Sequence, residues 1–460
     1  MGRRFRTYPL VTRHSSLVTG VVVLLCLLGV AVWAAYPWTG RQAADPAEIF
    51  GVEMLGSVGP EQGLAQAVAA GVRWVRVILY WSEIEPVRQV PPVYNWRRYD
   101  TLFSAAAAAG LTPIVIITGN PAWAAATPCG PLHQERMGDF RAFLQALVAR
   151  YGSARSGVRY WELYNEPDNV DLADPGSLGG CWGEDGGAYA QMLRVAYRAI
   201  KEADPQAQVL SGGLAHDLFT YDGGPFREAF LDEFLAEGGT SFDILSFHYY
   251  RPFHERWDPY GPDLLGKVAY LRGKLADLGL EKTLMATEIG QPTACPPGEE
   301  CSDDLAARYV VQGFVRGLAA GLRAVIWFTM VDYDDPRAYG LLRQDLTPKP
   351  AYQAYRVLTQ QLKGAKFSCT LSPGQGGWPD VEGYAFTSRD GGELYVLWAM
   401  GSVDQEIAVP GKRLRLVTKE GTENSVSDGY AGDLDGVADG QIVVKVSADP
   451  IYLWLDTRDR

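Results

Sequence analysis

Two glutamates stand out by type and setting. Glu166 lies in Trp161-Glu162-Leu163-Tyr164-Asn165-Glu166-Pro167-Asp168, and Glu288 in Ala286-Thr287-Glu288-Ile289-Gly290. Pro167 cannot donate to a continuing ladder and disfavours a helical approach. The first stretch therefore reads as a short strand ending at Glu166. Side chains alternate along a strand, which predicts Tyr160, Glu162, Tyr164 and Glu166 on one face. Two carboxyl groups facing each other across a cleft can break a glycosidic bond. One protonates the leaving oxygen and the other attacks the anomeric carbon. A nearby Arg76 would keep a nucleophilic Glu288 ionised, and Tyr250 could donate to it. Asn165 is placed to hold a sugar 2-hydroxyl. His248 shares parity with Tyr250, so both can face one mouth. Trp327 offers a flat apolar face for a sugar ring, and Trp123, with Trp81, Trp182 and Trp257, could extend it. If Glu288 points inward, Thr287 faces the opposite side. Glu162 reads as a buried structural carboxylate paired with an inner Arg or Tyr, and Glu83 and Glu85 as loop carboxylates.

The elements that must position these groups alternate along the chain. Short apolar runs recur at Phe50–Leu55, Val72–Leu79, Leu111–Ile117, Val158–Tyr164, Val209–Gly213, Phe242–Tyr250, Thr283–Thr287 and Ala324–Met330. Helical stretches fall between them, from Gly63–Ala70 to Ala351–Leu362. Eight strands alternating with eight helices predict an α/β fold, a (β/α)8 TIM barrel over 49–363. An open doubly wound sheet would usually carry a glycine fingerprint after its first strand, and none is present. Polar groups on strands two, four, six, seven and eight then meet at the carboxyl end of the barrel, where catalytic residues of this fold sit. After Gly364 the pattern changes to period two with Gly-rich turns, as at Val381–Thr387, Glu393–Met400 and Arg413–Thr418. This predicts a small antiparallel β-sandwich over 364–460. Its loop Asp433-Leu434-Asp435-Gly436 lacks full calcium-ligand spacing and reads as a solvated turn.

The chain has 460 residues, 47 % hydrophobic and 12 % aromatic, with a net charge of −12. It can bury a large core. The acidic balance, with no Lys/Arg-rich run past the first segment, argues against a nucleic-acid partner. No phosphate-binding glycine loop and no clustered His/Cys pattern occurs, so neither cofactor nor metal is expected. Residues 1–16 are basic, and 17–36 form an uncharged apolar run long enough to span a bilayer. They predict a single-pass transmembrane signal anchor with a cytoplasmic N-terminus, followed by a linker over 37–48. A signal peptide cut after Ala34, giving a secreted protein, is the alternative. Either way the barrel lies outside the cytoplasm, at the cell membrane or beyond it. Six cysteines occur. Cys295 and Cys301 flank a short loop that a disulfide could close, and Cys129 and Cys181 lie in Gly/Pro-rich loops that could pair. Pairing fits an oxidising compartment.

Taken together, Trp161 to Pro167, Arg76, His248-Tyr249-Tyr250 and Glu288 resemble the clan A retaining glycoside hydrolases. The likeness is to family 39 first and family 5 next. Asn120-Pro121-Ala122-Trp123-Ala124, Tyr94-Asn95-Trp96 leading to Asp100, and the β-sandwich after the barrel are similar to family 39 members. The resemblance covers about residues 49–457 and implies Glu166 as acid/base and Glu288 as nucleophile. It implies a carbohydrate substrate, a β-linked polysaccharide or oligosaccharide. With the anchor, the chain is similar to membrane-tethered endoglycosidases of bacterial exopolysaccharide systems. Two rivals remain: a transglycosylase on the same site, and a carbohydrate-binding barrel without catalysis. Oligomeric state is not readable from the sequence.

Overall fold

The computed structural model describes residues 48–154, 156–170, 180–297, 300–374 and 376–455. Eight parallel strands close into a barrel in chain order. They are β1 (Phe50–Glu53), β2 (Trp74–Tyr80), β3 (Thr112–Thr118), β4 (Tyr160–Leu163), β5 (Gln208–Leu210), β6 (Ile244–Tyr250), β7 (Thr283–Gly290) and β8 (Val325–Trp327). Around them run α1 (Leu64–Ala69), the short α2 (Trp81–Ile84), α3 (Arg97–Ala108), α4 (Met137–Tyr151), α5 (Gly186–Ala203), α6 (Ala229–Gly238), α7 (Leu264–Asp277), α8 (Asp303–Ala319) and α9 (Pro350–Gln361).

The helices form where the apolar spacing and caps agree. In α5, Tyr189, Met192, Leu193, Ala196, Ala199 and Ile200 are buried at helical spacing, and Asp185 caps the helix by accepting from the Ala188 N–H. Ser302 caps α8 by accepting from Leu305.

The barrel floor is apolar. Trp74, Ile114, Leu210, Ile244, Met285, Ala324 and Ile326 pack together there, with Tyr160 against them. Gly51 belongs to this layer by necessity: a Cβ on it would lie 2.2 Å from Ile326 Cδ1 and 2.9 Å from Trp74 Cβ. One step up each strand the filling turns polar. Glu53 pairs beside Arg76 across β1 and β2, while Glu162 stands on β4 and Ser246 and His248 on β6. Two residues above each floor position, alternation delivers the next inward side chain, and this is where the site begins.

Eight further strands follow the barrel. β9 (Lys366–Thr370), β10 (Val381–Thr387), β11 (Glu393–Ala399), β12 (Gln405–Pro410), β13 (Arg413–Thr418), β14 (Glu423–Ser427), β15 (Gln441–Val446) and β16 (Ile451–Leu455) form two antiparallel sheets. One has six strands in the order β14-β13-β16-β11-β10-β9, and the other is the pair β12-β15. Ile407 and Val409 of β12 and Ile442, Val444 and Val446 of β15 share a core with Leu397, Leu414, Leu453 and Leu455 of the larger sheet. The second layer of the expected sandwich is thus only two strands wide.

Arg316 on α8 joins barrel to sheet, with both ends of its fork 2.8 Å from Glu382 on β10. Among the described residues no helix is long and apolar enough to cross a membrane. The expected basic segment, anchor and nearly all of the linker lie outside the described residues.

Candidate active site

Arg76 is the hub of the barrel mouth. It is fully buried and bonds to four side chains. Its Nε donates to Glu162 at 2.7 Å, its Nη2 to Asn165 Oδ1 at 2.5 Å, and its Nη1 to both Glu53 at 2.7 Å and Glu288 at 2.5 Å. The expected partner of Glu162 is therefore Arg76. Tyr250, two residues up β6 from His248, donates its hydroxyl to the other oxygen of Glu288. Glu288 is 7 % exposed and Glu166 is 21 % exposed, so the first lies at the bottom of the cleft and the second nearer its opening.

His248 stands between the two carboxylates. Its Nδ1 is 2.9 Å from Glu166 Oε1, and its Nε2 is 3.5 Å from Glu288 Oε1. Burial, with Arg76 and Lys267 close by, holds its pKa well below that of an ordinary histidine, so the ring is neutral. Lys267 on α7 is buried and donates to the carbonyls of Ala215 and His248, tying the end of β6 to the loop after β5. Gly213 lies against the imidazole, where a Cβ would come 2.1 Å from His248 Nε2. Single atoms of Glu166, His248 and Glu288 all lie within 4.8 Å of one another. Among the described residues this is the cluster tight enough to share a cation.

The two carboxyl groups differ in their surroundings. Burial raises the pKa of Glu288, but Arg76 and the Tyr250 hydroxyl pull it back. Glu166 is pushed well above the ordinary carboxylate range by burial and then by the charges of Glu288, Asp168 and Asp217. Arg76 lowers it, but by less than each of these charges raises it. Glu166 is thus the group that keeps its proton, and Glu288 the one with partners for a negative charge.

Local backbone departures aim these groups. Tyr164 and Glu166 have φ of 65° and 45°, in the left-handed region. The alternation expected from Tyr160 to Glu166 breaks there: Glu162 points inward, but Tyr164 turns to the helix side. It packs on Trp182 and donates to Asn120 at 2.6 Å. The turn brings Asn165 inward to Arg76. Asp168 accepts the N–H groups of Ala215 and His216 and so pins the loop after β4 to the loop after β5. A disulfide between Cys129 and Cys181 joins the loops after β3 and β4, and a second closes Cys295 to Cys301 in the loop after β7.

On β7 a register shift against β6 pairs Phe247 with Ala286 and His248 with Glu288. Thr287 is the extra residue of this bulge. It does not face the helices, as simple alternation required. Its Oγ1 approaches the same Gly213 position as His248 Nε2, and the bulge turns Glu288 inward as well.

Trp327 is not at the mouth. It is fully buried, packs in the outer core with its ring tilted against Tyr309, and donates its Nε1 to the Tyr339 carbonyl at 3.0 Å. Ile326 takes the inward position, so the next inward residue is Phe328. Its ring meets Tyr250 at 6.2 Å, Tyr339 at 5.6 Å and Tyr333 at 5.8 Å between centroids. Trp81, Trp182 and Trp257 are buried too and offer no platform. Trp123 is half-buried, and its contacts are with the loop after β2, where its Nε1 donates to the Glu85 carbonyl. Glu53 and Phe328 are the site residues that sequence reasoning missed. The available signal was position: Glu53 ends β1 at the inward parity of Gly51, and Phe328 follows Ala324 and Ile326.

The profile of the cellulase family, glycosyl hydrolase family 5, matches residues 41–292, more than half of the chain. No curated protein matches. A family 39 glycoside hydrolase structure from the gut symbiont Bacteroides cellulosilyticus WH2 is similar at TM-score 0.67 and 23 % identity, over 90 % of this chain and 83 % of that one. A glucosidase from Croceicoccus marinus aligns at TM-score 0.60 and 16 % identity, over 90 % and 97 %. A monomeric beta-xylosidase from Caulobacter crescentus CB15 aligns at TM-score 0.58 and 18 % identity, over 90 % and 98 %. At these identities the structures speak for the fold, and the family profile speaks for kinship. The chain belongs to the cellulase family of glycosyl hydrolases, family 5, and so to the clan A glycoside hydrolases.

Proposed function

We propose that the chain is a retaining glycosidase that cleaves a β-linked polysaccharide or oligosaccharide by double displacement. Glu288 attacks the anomeric carbon and Glu166 protonates the leaving oxygen. The observation that carries this reading is the approach of the two carboxylates, with oxygens within 4.8 Å. Retaining enzymes hold this pair about 5–5.5 Å apart, and inverting enzymes leave a wider gap for water.

The partners fit those roles. Arg76 and Tyr250 hold Glu288 ionised and aimed, whereas among the described residues the Glu166 carboxyl meets neutral His248. When Glu288 becomes an ester, its charge vanishes, the chief like-charge influence on Glu166 is gone, and Glu166 can give up its proton and then act as base on a water. Asn165 has its Oδ1 occupied by Arg76, which leaves its amide nitrogen for the sugar 2-hydroxyl. Phe328, with Tyr250 and Tyr339, takes the stacking role expected of Trp327. The two disulfides support an extracytoplasmic catalytic domain, and the apolar run at 17–36 supports a single-pass tether to the cell membrane. An exopolysaccharide-directed endoglycosidase is the specific form this reading takes.

Azide rescue tests the assignment. Glu288→Ala should lose turnover and, with azide, give a glycosyl azide of inverted configuration. Glu166→Ala should keep the first step on substrates with a good leaving group and give an azide product of retained configuration. Exchange of the two outcomes reverses the roles. Release of the first product with inverted configuration by the unaltered protein removes the covalent mechanism.

A further inference from the structure

Three carboxylates crowd one cation at the bottom of the mouth. Arg76 carries a single positive charge, and Glu53, Glu162 and Glu288 all accept from it. His248 is neutral and supplies no second charge. If all three carboxylates were ionised, two uncompensated negative charges would sit on side chains no more than 7 % exposed. Buried charge of that kind neutralises by holding a proton. The three are not equivalent. Glu162 has Nε to itself, whereas Glu53 and Glu288 share the one nitrogen Nη1. The charge of Glu53 therefore competes directly with that of Glu288.

We infer that Glu53 is a positioning residue that holds a proton while Glu288 is ionised and releases it when Glu288 is esterified. The inference rests on Glu288 being the nucleophile. In the first step the Glu288 oxygen forms a bond to the anomeric carbon, the glycosidic bond breaks, and Glu166 gives its proton to the leaving oxygen. The ester is neutral, so Arg76 loses one anionic partner. Glu53 then passes its proton to solvent and takes over Nη1 as a carboxylate. In the second step water adds to the anomeric carbon and gives a proton to Glu166, Glu288 leaves as a carboxylate, and Glu53 regains a proton from solvent. The cycle closes with no net proton change at Glu53, and Arg76 stays compensated at each stage.

The groups facing Glu53 are Arg76 and Tyr80 from β2, Glu162 from β4, Glu288 from β7 and Tyr333 from the loop after β8. Burial pushes Glu53 up to about 8, with Arg76 opposing and Glu288 and Glu162 adding to the rise.

Infrared difference titration of protonated carboxyl groups tests this in a Glu166→Gln background, which removes one other strongly raised group; Asp168, at about 7, titrates lower and persists in every variant. The parent should show a carboxyl that loses its proton near pH 8. Glu53→Gln should abolish that titration, Glu162→Gln should keep it, and Glu288→Gln, a neutral stand-in for the ester, should move it down by a pH unit or more. Loss of the titration in Glu162→Gln, or no movement in Glu288→Gln, overturns the inference. If Glu53→Gln does not fold, the Glu162→Gln and Glu288→Gln results still decide it. Full turnover by Glu288→Gln in an otherwise unaltered protein would instead remove the nucleophile assignment, a separate outcome from the titration.

Discussion

Two buried arginines serve opposite ends. Arg76, inside the barrel, is shared among three carboxylates and Asn165. Arg316, between barrel and sheet, holds one carboxylate in a fork, with Asp263 at 3.1 Å beside it. Arg316 also faces two carboxylates, but there several donors converge on one of them, Glu382. Burial alone would raise Glu382, but Arg316, the Tyr384 hydroxyl and the Trp398 N–H together hold it below the ordinary value. Around Arg76 the negative charge outnumbers the cation, and Glu53 and Glu288 are both raised. The difference separates an ion pair that holds domains together from one kept short of compensation so that its members change charge. Breaking a satisfied buried pair costs stability, whereas removing one member of an overcrowded cluster relieves it.

The largest contrast is between Glu288→Gln and Glu382→Gln. The first should lower turnover by at least about 10⁴-fold, on the scale of removing a catalytic nucleophile, while its unfolding midpoint above pH 7 stays level or rises. The second should keep turnover and lose about 3–5 kcal/mol of stability in denaturant titration. If Glu288→Gln is as unstable as Glu382→Gln, the cluster around Arg76 is structural in the same sense and the contrast fails. Next, Trp327→Ala should cost about 3–5 kcal/mol of stability as a core truncation, and Phe328→Ala should lower kcat/KM roughly tenfold with a smaller loss of stability. Last is the pH dependence of stability. Glu53 at about 8, Asp168 at about 7, and Glu166 hold protons in the folded state that the unfolded chain releases near its ordinary carboxylate pKa. A raised acid makes the native state bind more protons, so stability should fall as pH rises from about 5 to 8, by up to roughly 1.4 kcal/mol per pH unit for each proton. Thermal unfolding across that range checks the slope, and Glu53→Gln should flatten it.

The sequence carried the repeat and the carboxylates because both are written locally. Each barrel strand is a short apolar run, and Asn165-Glu166-Pro167 marks a strand end through the chemistry of proline. What it did not carry depends on long-range pairing. Trp327 and Phe328 are both aromatic, and only the register of β8 against β1 decides which faces the axis. Glu53 becomes a site residue only through Arg76 on the neighbouring strand. The strands β9 and β14 passed unnoticed because they lie at the two edges of the large sheet, where Lys366, Ser368, Glu423 and Asn424 face solvent and little apolar alternation survives.

The bulge at Thr287 carries a consequence for how such a site is inherited. The direction of the Glu288 side chain depends on the number of residues between Ala286 and Ile289, since the shift in pairing lies there on both neighbouring strands. A chain with one further residue between Thr287 and Glu288, the single bulge kept, would turn Glu288 toward the helices, with every group at the mouth still in its sequence. An inventory of residue types would pass that chain as complete, and a count along one strand would not. Information about catalysis is thus held in a spacing, and a single-residue insertion, which leaves composition almost untouched, can erase it.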